Sequence, residues 1–209
     1  MPEPQATPPP AGSDPPPAAP SLLPWEAPGA GIKEFFLTMY GIMARPSWAL
    51  AAPPAGPWPR WAGFALIMWF LVFMARFLLS WAWSAGAMGG LEMLAWGILG
   101  MLVQAAIFLP LYSGAVCLAL KMLTQGQAAA PPPFAPVLRA VCYSQVSTAA
   151  MLLPMVGIIV HLVWNVVLLS MALRASLGLS KRTALLGVIL PMLAFFLLGL
   201  VLASLGMVM

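Results

Sequence analysis

The chain has 209 residues, of which 62% are hydrophobic and only 7% charged, against roughly 25% charged in soluble domains. So little polar surface excludes a water-soluble fold and leaves lipid as the medium that the apolar majority faces. The net charge of +4 rests on Lys and Arg residues too dispersed for a nucleic-acid groove, so no nucleic-acid partner is expected, and the two cysteines, Cys117 and Cys142, lie in apolar runs where they read as small buried hydrophobes.

Residues 1–30 are dense in Pro, Ala and Gly. Such a segment buries too little apolar surface to offset its ordering entropy, so a disordered tail with polyproline character is expected. No secretory leader is expected either, because the first long apolar run begins only near Trp61. Over 31–46 the pattern changes. Ile32, Phe35, Phe36, Met39, Ile42 and Met43 recur every three or four residues, and Pro46 follows Arg45. This predicts an amphipathic helix that ends before the proline, is too short to span, and lies in the cytoplasmic interface or packs on the domain's own loops.

The membrane domain is expected over 58–209. Its first span covers about 61–80, with Trp58 and Trp61 at one interface and Trp81 and Trp83 at the other. Arg76 lies near the outer belt, where it snorkels outward or pairs with Glu92. The second span, about 93–120, would be about 42 Å long as a helix, so it must tilt, bend at Pro110 or extend past a ~30 Å core. Gln104 and Ser113 within it read as helix–helix hydrogen-bonding groups. Residues 122–138 form a loop from which Pro131, Pro132, Pro133 and Pro136 exclude helix. Two short arms, about 139–153 and 157–174, then make a hairpin broken at Pro154–Gly157, and 183–205 is the fifth span. Each arm, about 15 to 18 residues long, is at the lower limit of spanning length, which leaves open whether the hairpin crosses fully.

Eight of the nine Lys and Arg residues lie between these segments on alternate sides. Lys33, Arg45 and Arg60 precede the first span, Lys121 and Arg139 flank the next basic gap, and Arg174, Lys181 and Arg182 fill the last; the intervening gaps and the C-terminal tail have none. Basic residues in short loops stay cytoplasmic. The fold class is therefore an all-α integral membrane protein with five transmembrane helices, N-terminus in and C-terminus out. The Ala- and Pro-rich composition fits a GC-rich bacterium, which makes the cell inner membrane the default location.

Residues that could carry chemistry are few. His161 is the sole histidine and Glu92 the sole acid beyond residue 34. No carboxylate pair, nucleophile elbow or phosphate loop is present, so no enzyme activity, metal or cofactor is expected. The polar residues concentrate in the hairpin. Tyr143, Ser144, Gln145, Ser147 and Thr148 lie on the first arm, with His161, Trp164 and Asn165 on the second. His161 and Asn165 share a helix face and need partners in lipid, which Ser144, Ser147 or Thr148 supply. The seam either holds the hairpin together or forms a ligand site.

The order Arg139, Tyr143-Ser144, Pro154-x-x-Gly157, Trp164, a basic cluster and a final apolar span resembles the Yip1 domain family. Its bacterial branch opens with elements similar to Pro24-Trp25-Glu26, Phe35-Phe36 and Arg45-Pro46 of this chain. The resemblance covers nearly all of the sequence after residue 24 and implies five spans with a cytoplasmic N-terminus. Eukaryotic members are linked to vesicle trafficking and small GTPases. Their Asp-Leu-Tyr-Gly-Pro element is absent here, where Leu111-Tyr112 is followed by Ser113-Gly114, which puts GTPase binding in doubt. The functional expectations are a non-enzymatic membrane scaffold or adaptor that acts on the lipid bilayer and on a membrane-protein partner or a second copy, or a small oligomeric channel or carrier.

Overall fold

The computed structural model describes residues 22–51, 56–83, 90–125, 132–204 and 206, and every regular element among them is helical. In chain order these are a 3-10 turn at Pro24–Glu26, α1 (Ile32–Ala44), α2 (Pro46–Leu50), α3 (Trp58–Trp83), α4 (Gly90–Leu123), α5 (Phe134–Ser144), a 3-10 segment (Gln145–Leu152), α6 (Gly157–Leu177) and α7 (Lys181–Ser204). Four of them, α3, α4, α6 and α7, are long and apolar enough to cross a membrane. Much of their apolar surface points outward. Ile159 on α6 is 66% exposed and Phe196 on α7 is 63% exposed, which suits lipid and not water.

Aromatic and polar contacts set the direction of each element. Trp69 and Phe73 of α3 meet Phe108 and Gly97 of α4 in reverse order, and Gly187 and Phe195 of α7 meet Leu120 and Phe108 in reverse order, so α4 runs opposite to both neighbours. Phe64 and Trp69 of α3 meet Tyr143 and Gln145 in the same order, so α5 runs parallel to α3. Ser144 and Ser147 face Asn165 and His161 in reverse order, so α6 returns. Five segments thus alternate in direction. One end of the bundle collects Arg60, Lys121, Arg139, Arg174, Lys181 and Arg182, and α1 and α2 cover that end.

The third segment differs from its expected form. Pro136 does not keep the preceding residues out of a helix, because it lies in the first turn of α5, where its missing N–H has no intrahelical partner to lose. After Ser144 the winding tightens. Ser144 Oγ and Gln145 Nε2 both donate to the Val141 carbonyl (2.8 and 3.1 Å), and Thr148 Oγ1 donates to that of Gln145 (2.6 Å). Side chains that occupy nearby carbonyls compete with the α-helical ladder. Tight winding also lengthens the segment. Eleven α-helical and eight 3-10 residues extend about 33 Å, where the same nineteen residues as one α-helix would give about 28 Å.

The composition assigns residues 1–30 to a disordered tail. Residues 22–30 are instead folded against the bundle, with Leu23 and Glu26 buried; 1–21 lie outside the described residues. The amphipathic helix is α1. Arg45 caps it, and Pro46 opens α2. Glu34 Oε2 accepts the Gly31 N–H at 2.9 Å, a hydrogen bond that holds its carboxyl below the usual range. That anchoring is therefore lost only as the pH falls through this lowered value. Helix α1 has two apolar faces. Phe35 and Ile42 are fully buried against the domain, while Ile32, Phe36, Leu37, Tyr40 and Met43 point away from it. Pro110 and Pro191 sit inside unbroken α4 and α7, and Ser113 bonds the Leu109 carbonyl of its own helix rather than a neighbouring helix.

Candidate functional site

Three polar assemblies occupy this apolar frame. The first joins Tyr143, expected in the hairpin, to Arg139, expected as a loop-flanking cation, and to Glu26, which entered only through the resemblance; their mutual contact was not expected, and it ties the N-terminal segment to the bundle. Pro24 starts a 3-10 turn that puts Trp25 and Glu26 on the basic end. The Trp25 indole donates to the Arg60 carbonyl (2.7 Å), and its backbone N–H donates to Thr38 Oγ1 of α1 (2.9 Å). Arg60 in turn donates to the carbonyls of Glu26 and Ala27. The Glu26 carboxylate reaches Arg139, 113 residues away, as a two-pronged ion pair: Nε to Oε1 at 2.5 Å and Nη2 to Oε2 at 3.1 Å. Tyr143 OH donates to the same Oε1 at 3.1 Å, and its ring lies under the guanidinium at 5.4 Å. Arg139 and Tyr143 are one turn apart on α5, so they present one face to the carboxylate. Glu26 and Arg139 are both at least 97% buried. A planar guanidinium matched to a carboxylate is the geometry that makes so deep a pair sustainable. A sequence signal for it existed: an arginine inside an apolar run needs an acid, and beyond residue 21 only Glu26, Glu34 and Glu92 are available.

The second assembly is the hairpin seam. Ser147 Oγ lies 2.9 Å from His161 Nδ1, and Asn165 Nδ2 reaches Ser144 Oγ and Ser147 Oγ, each at 3.2 Å. The structure thus brings Ser144, Ser147, His161 and Asn165 together. Thr148 bonds its own backbone, Tyr143 belongs to the Glu26 pair, and Trp164 faces outward at 37% exposure. Pro154 and Gly157 form the turn, in which Met155 takes a left-handed φ of 63°. Interhelical hydrogen bonds in membranes contribute about 0.6 kcal/mol each. Asn165→Leu should therefore lower the unfolding temperature in detergent by a few degrees while leaving topology unchanged, with differential scanning fluorimetry as the check. Loss of a flux or a partner contact at unchanged stability would instead make the seam a functional site.

The third assembly is a cleft of about 760 Å³ between α3, α4, α6, α7 and the 3-10 segment. A 3-10 helix repeats every three residues, so Gln145, Thr148 and Met151 stack on one face, and all three line the cleft. A reading at the 3.6-residue period hides that alignment. Arg76 and Gln104 enter from α3 and α4, and His161 and Asn165 from α6. Arg76 forms no ion pair with Glu92; among the described residues the ion pair is that of Glu26 and Arg139. Cys117 and Cys142 are both free thiols. Comparison of the chain with protein-family models, with curated proteins and with solved structures finds no match.

Proposed function

We propose that this chain is a five-span, non-enzymatic protein of the Yip1 type in the bacterial cytoplasmic membrane, with its N-terminus inside and its C-terminus outside, and that it works as a scaffold or adaptor. The observation that carries this reading is the buried lock between Glu26 and Arg139. It fixes the N-terminal segment, and α1 with it, on the basic end of the bundle. Helix α1 then presents Ile32, Phe36, Leu37, Tyr40 and Met43 away from the domain as a constant apolar surface. Such a surface suits the headgroup region or a membrane-embedded partner. The clustering of basic residues at that end supports a cytoplasmic location for it. The ~33 Å reach of α5 and its 3-10 extension supports a full third crossing.

A peptide of residues 31–45 should gain helicity on anionic vesicles, and Phe36→Glu should reduce the gain severalfold by placing a charge on the outward face. A circular dichroism spectrum that stays random coil with vesicles present would count against the interfacial role. The cleft supports a second reading, a small carrier. Solute flux in proteoliposomes above that of empty vesicles would favour the carrier over the scaffold.

A further inference from the structure

Several polar atoms that line the cleft have no partner among the described residues and are accessible from it. No buried side-chain nitrogen or oxygen lacks a hydrogen bond among the described residues. His161 bonds through Nδ1 and Asn165 through Nδ2, so His161 Nε2 and Asn165 Oδ1 are open, and both side chains line the cleft. Gln104 and Arg76 complete the set, neither with a hydrogen bond to another described residue. Arg76 is also the one Lys or Arg outside the basic end. It lies 18 residues beyond Trp58 on α3, about 27 Å along the axis and near the opposite face of the membrane.

A smaller recess of about 310 Å³ shares Arg76, Ser80 and Met151 with the cleft and extends to the Pro154–Gly157 turn. Its rim includes Leu79, Met155 and Ile158, all strongly exposed apolar side chains. An opening rimmed in this way faces acyl chains rather than water. The deeper walls carry Trp69, Phe73, Phe108 and Phe195; the Phe73 ring packs onto Gly97, and Gly100 leaves room along α4.

We propose that this cleft binds an anionic phospholipid. The phosphate sits on the Arg76 guanidinium near the outer face, the glycerol ester region meets Gln104 and His161, and one acyl chain lies along the aromatic walls. Charge complementarity selects an anionic head, since the cleft holds a cation and no carboxylate. The apolar rim selects an occupant that arrives from the bilayer. The volume falls within the ~300–1,000 Å³ usual for ligand sites, enough for a headgroup region with part of a chain. The site lies away from the Glu26–Arg139 lock, so the proposal stands whether the protein is a scaffold or a carrier.

The test uses the full chain in nanodiscs with a photoreactive phosphatidylglycerol analogue, read out by peptide mapping. Labelling should concentrate on the peptides that contain Phe73–Ser80 and Trp96–Gln104. Excess phosphatidylglycerol should compete about tenfold better than phosphatidylcholine, as expected for one charge-assisted contact. Arg76→Gln should lower labelling by a similar factor and Arg76→Lys should retain most of it. Gly100→Leu is a second variant. A Cβ there meets nothing within 4 Å, and Gly100 lines the cleft, so a leucine can extend into it; it should abolish specific labelling without lowering the unfolding temperature. Equal competition by phosphatidylcholine, equal competition by inorganic phosphate, or labelling spread evenly over the outward faces of α6 and α7 would each overturn the proposal. If Arg76→Gln does not fold, the competition on the parent chain and the Gly100→Leu result decide.

Discussion

Glu26→Ala should unfold in detergent at a temperature well below that of the parent, with a loss of about 3–5 kcal/mol, the usual cost of leaving a buried charge without its partner. The substitution strands the Arg139 guanidinium and removes the acceptor of Tyr143 OH, both at positions with almost no solvent access. It also frees the Pro24–Glu26 turn, so Trp25 loses its hold on Arg60 and Thr38. Protease sensitivity of the N-terminal 45 residues should rise in parallel. The double change Glu26→Leu, Arg139→Met separates charge from shape. Replacing both partners by apolar groups of similar volume is often neutral, so the double variant should recover most of the stability lost in the single one. A double variant no more stable than Glu26→Ala would mean that the carboxylate contributes through something other than the pair.

Gly157→Ala should be nearly as damaging. A Cβ at this position would sit 2.5 Å from the Ala150 carbonyl oxygen and 3.0 Å from Met151 Cα. Both obstacles are backbone and cannot rotate away. The first turn of α6 and the end of the 3-10 segment must move apart, which strains the Ser147–His161 and Ser144–Asn165 contacts beyond it. Overpacking of this kind costs about 1–3 kcal/mol, and the backbone contact puts this case at the upper end. Gly199→Ala is the matched control. It lies inside α7 with nothing within 4 Å of the added methyl, so higher helix propensity should make it neutral or stabilising by up to about 1 kcal/mol. If both substitutions behaved alike, close approach at the turn would not be what Gly157 provides.

The parts of this fold legible in the sequence are those governed by one local rule. Apolar run length placed α3, α4, α6 and α7 within a few residues of their ends, and the three- and four-residue spacing of Ile32 to Met43 located α1. Composition misled at residues 22–30, because a Pro-rich stretch reads as a tail unless its few non-proline residues have partners. Trp25 and Glu26 find theirs 35 and 113 residues away, where no local pattern extends. The seam residues Ser144, Ser147, His161 and Asn165 were legible because lipid forces polar groups to pair and the turn fixes the pairing. Gln145 and Thr148 as cleft residues were not. Their shared face depends on three-residue winding, and that winding depends on side chains bonding the Val141 and Gln145 carbonyls in the folded chain. Arg76 is legible as an intramembrane charge, but its cleft is assembled from five separate elements.

If α5 and its 3-10 extension cross the membrane, as proposed, the chain makes five crossings and its two termini lie on opposite sides. Fusing alkaline phosphatase after Met209, and separately at Gly126, in intact bacteria tests it most directly, because the enzyme is active only outside the cytoplasm. With five crossings and an inside N-terminus, the fusion after Met209 should be active and the fusion at Gly126 silent. Silence at both positions would mean that the segment Phe134–Leu152 does not cross and that four helices span, and activity at Gly126 would invert the orientation that the basic residues imply.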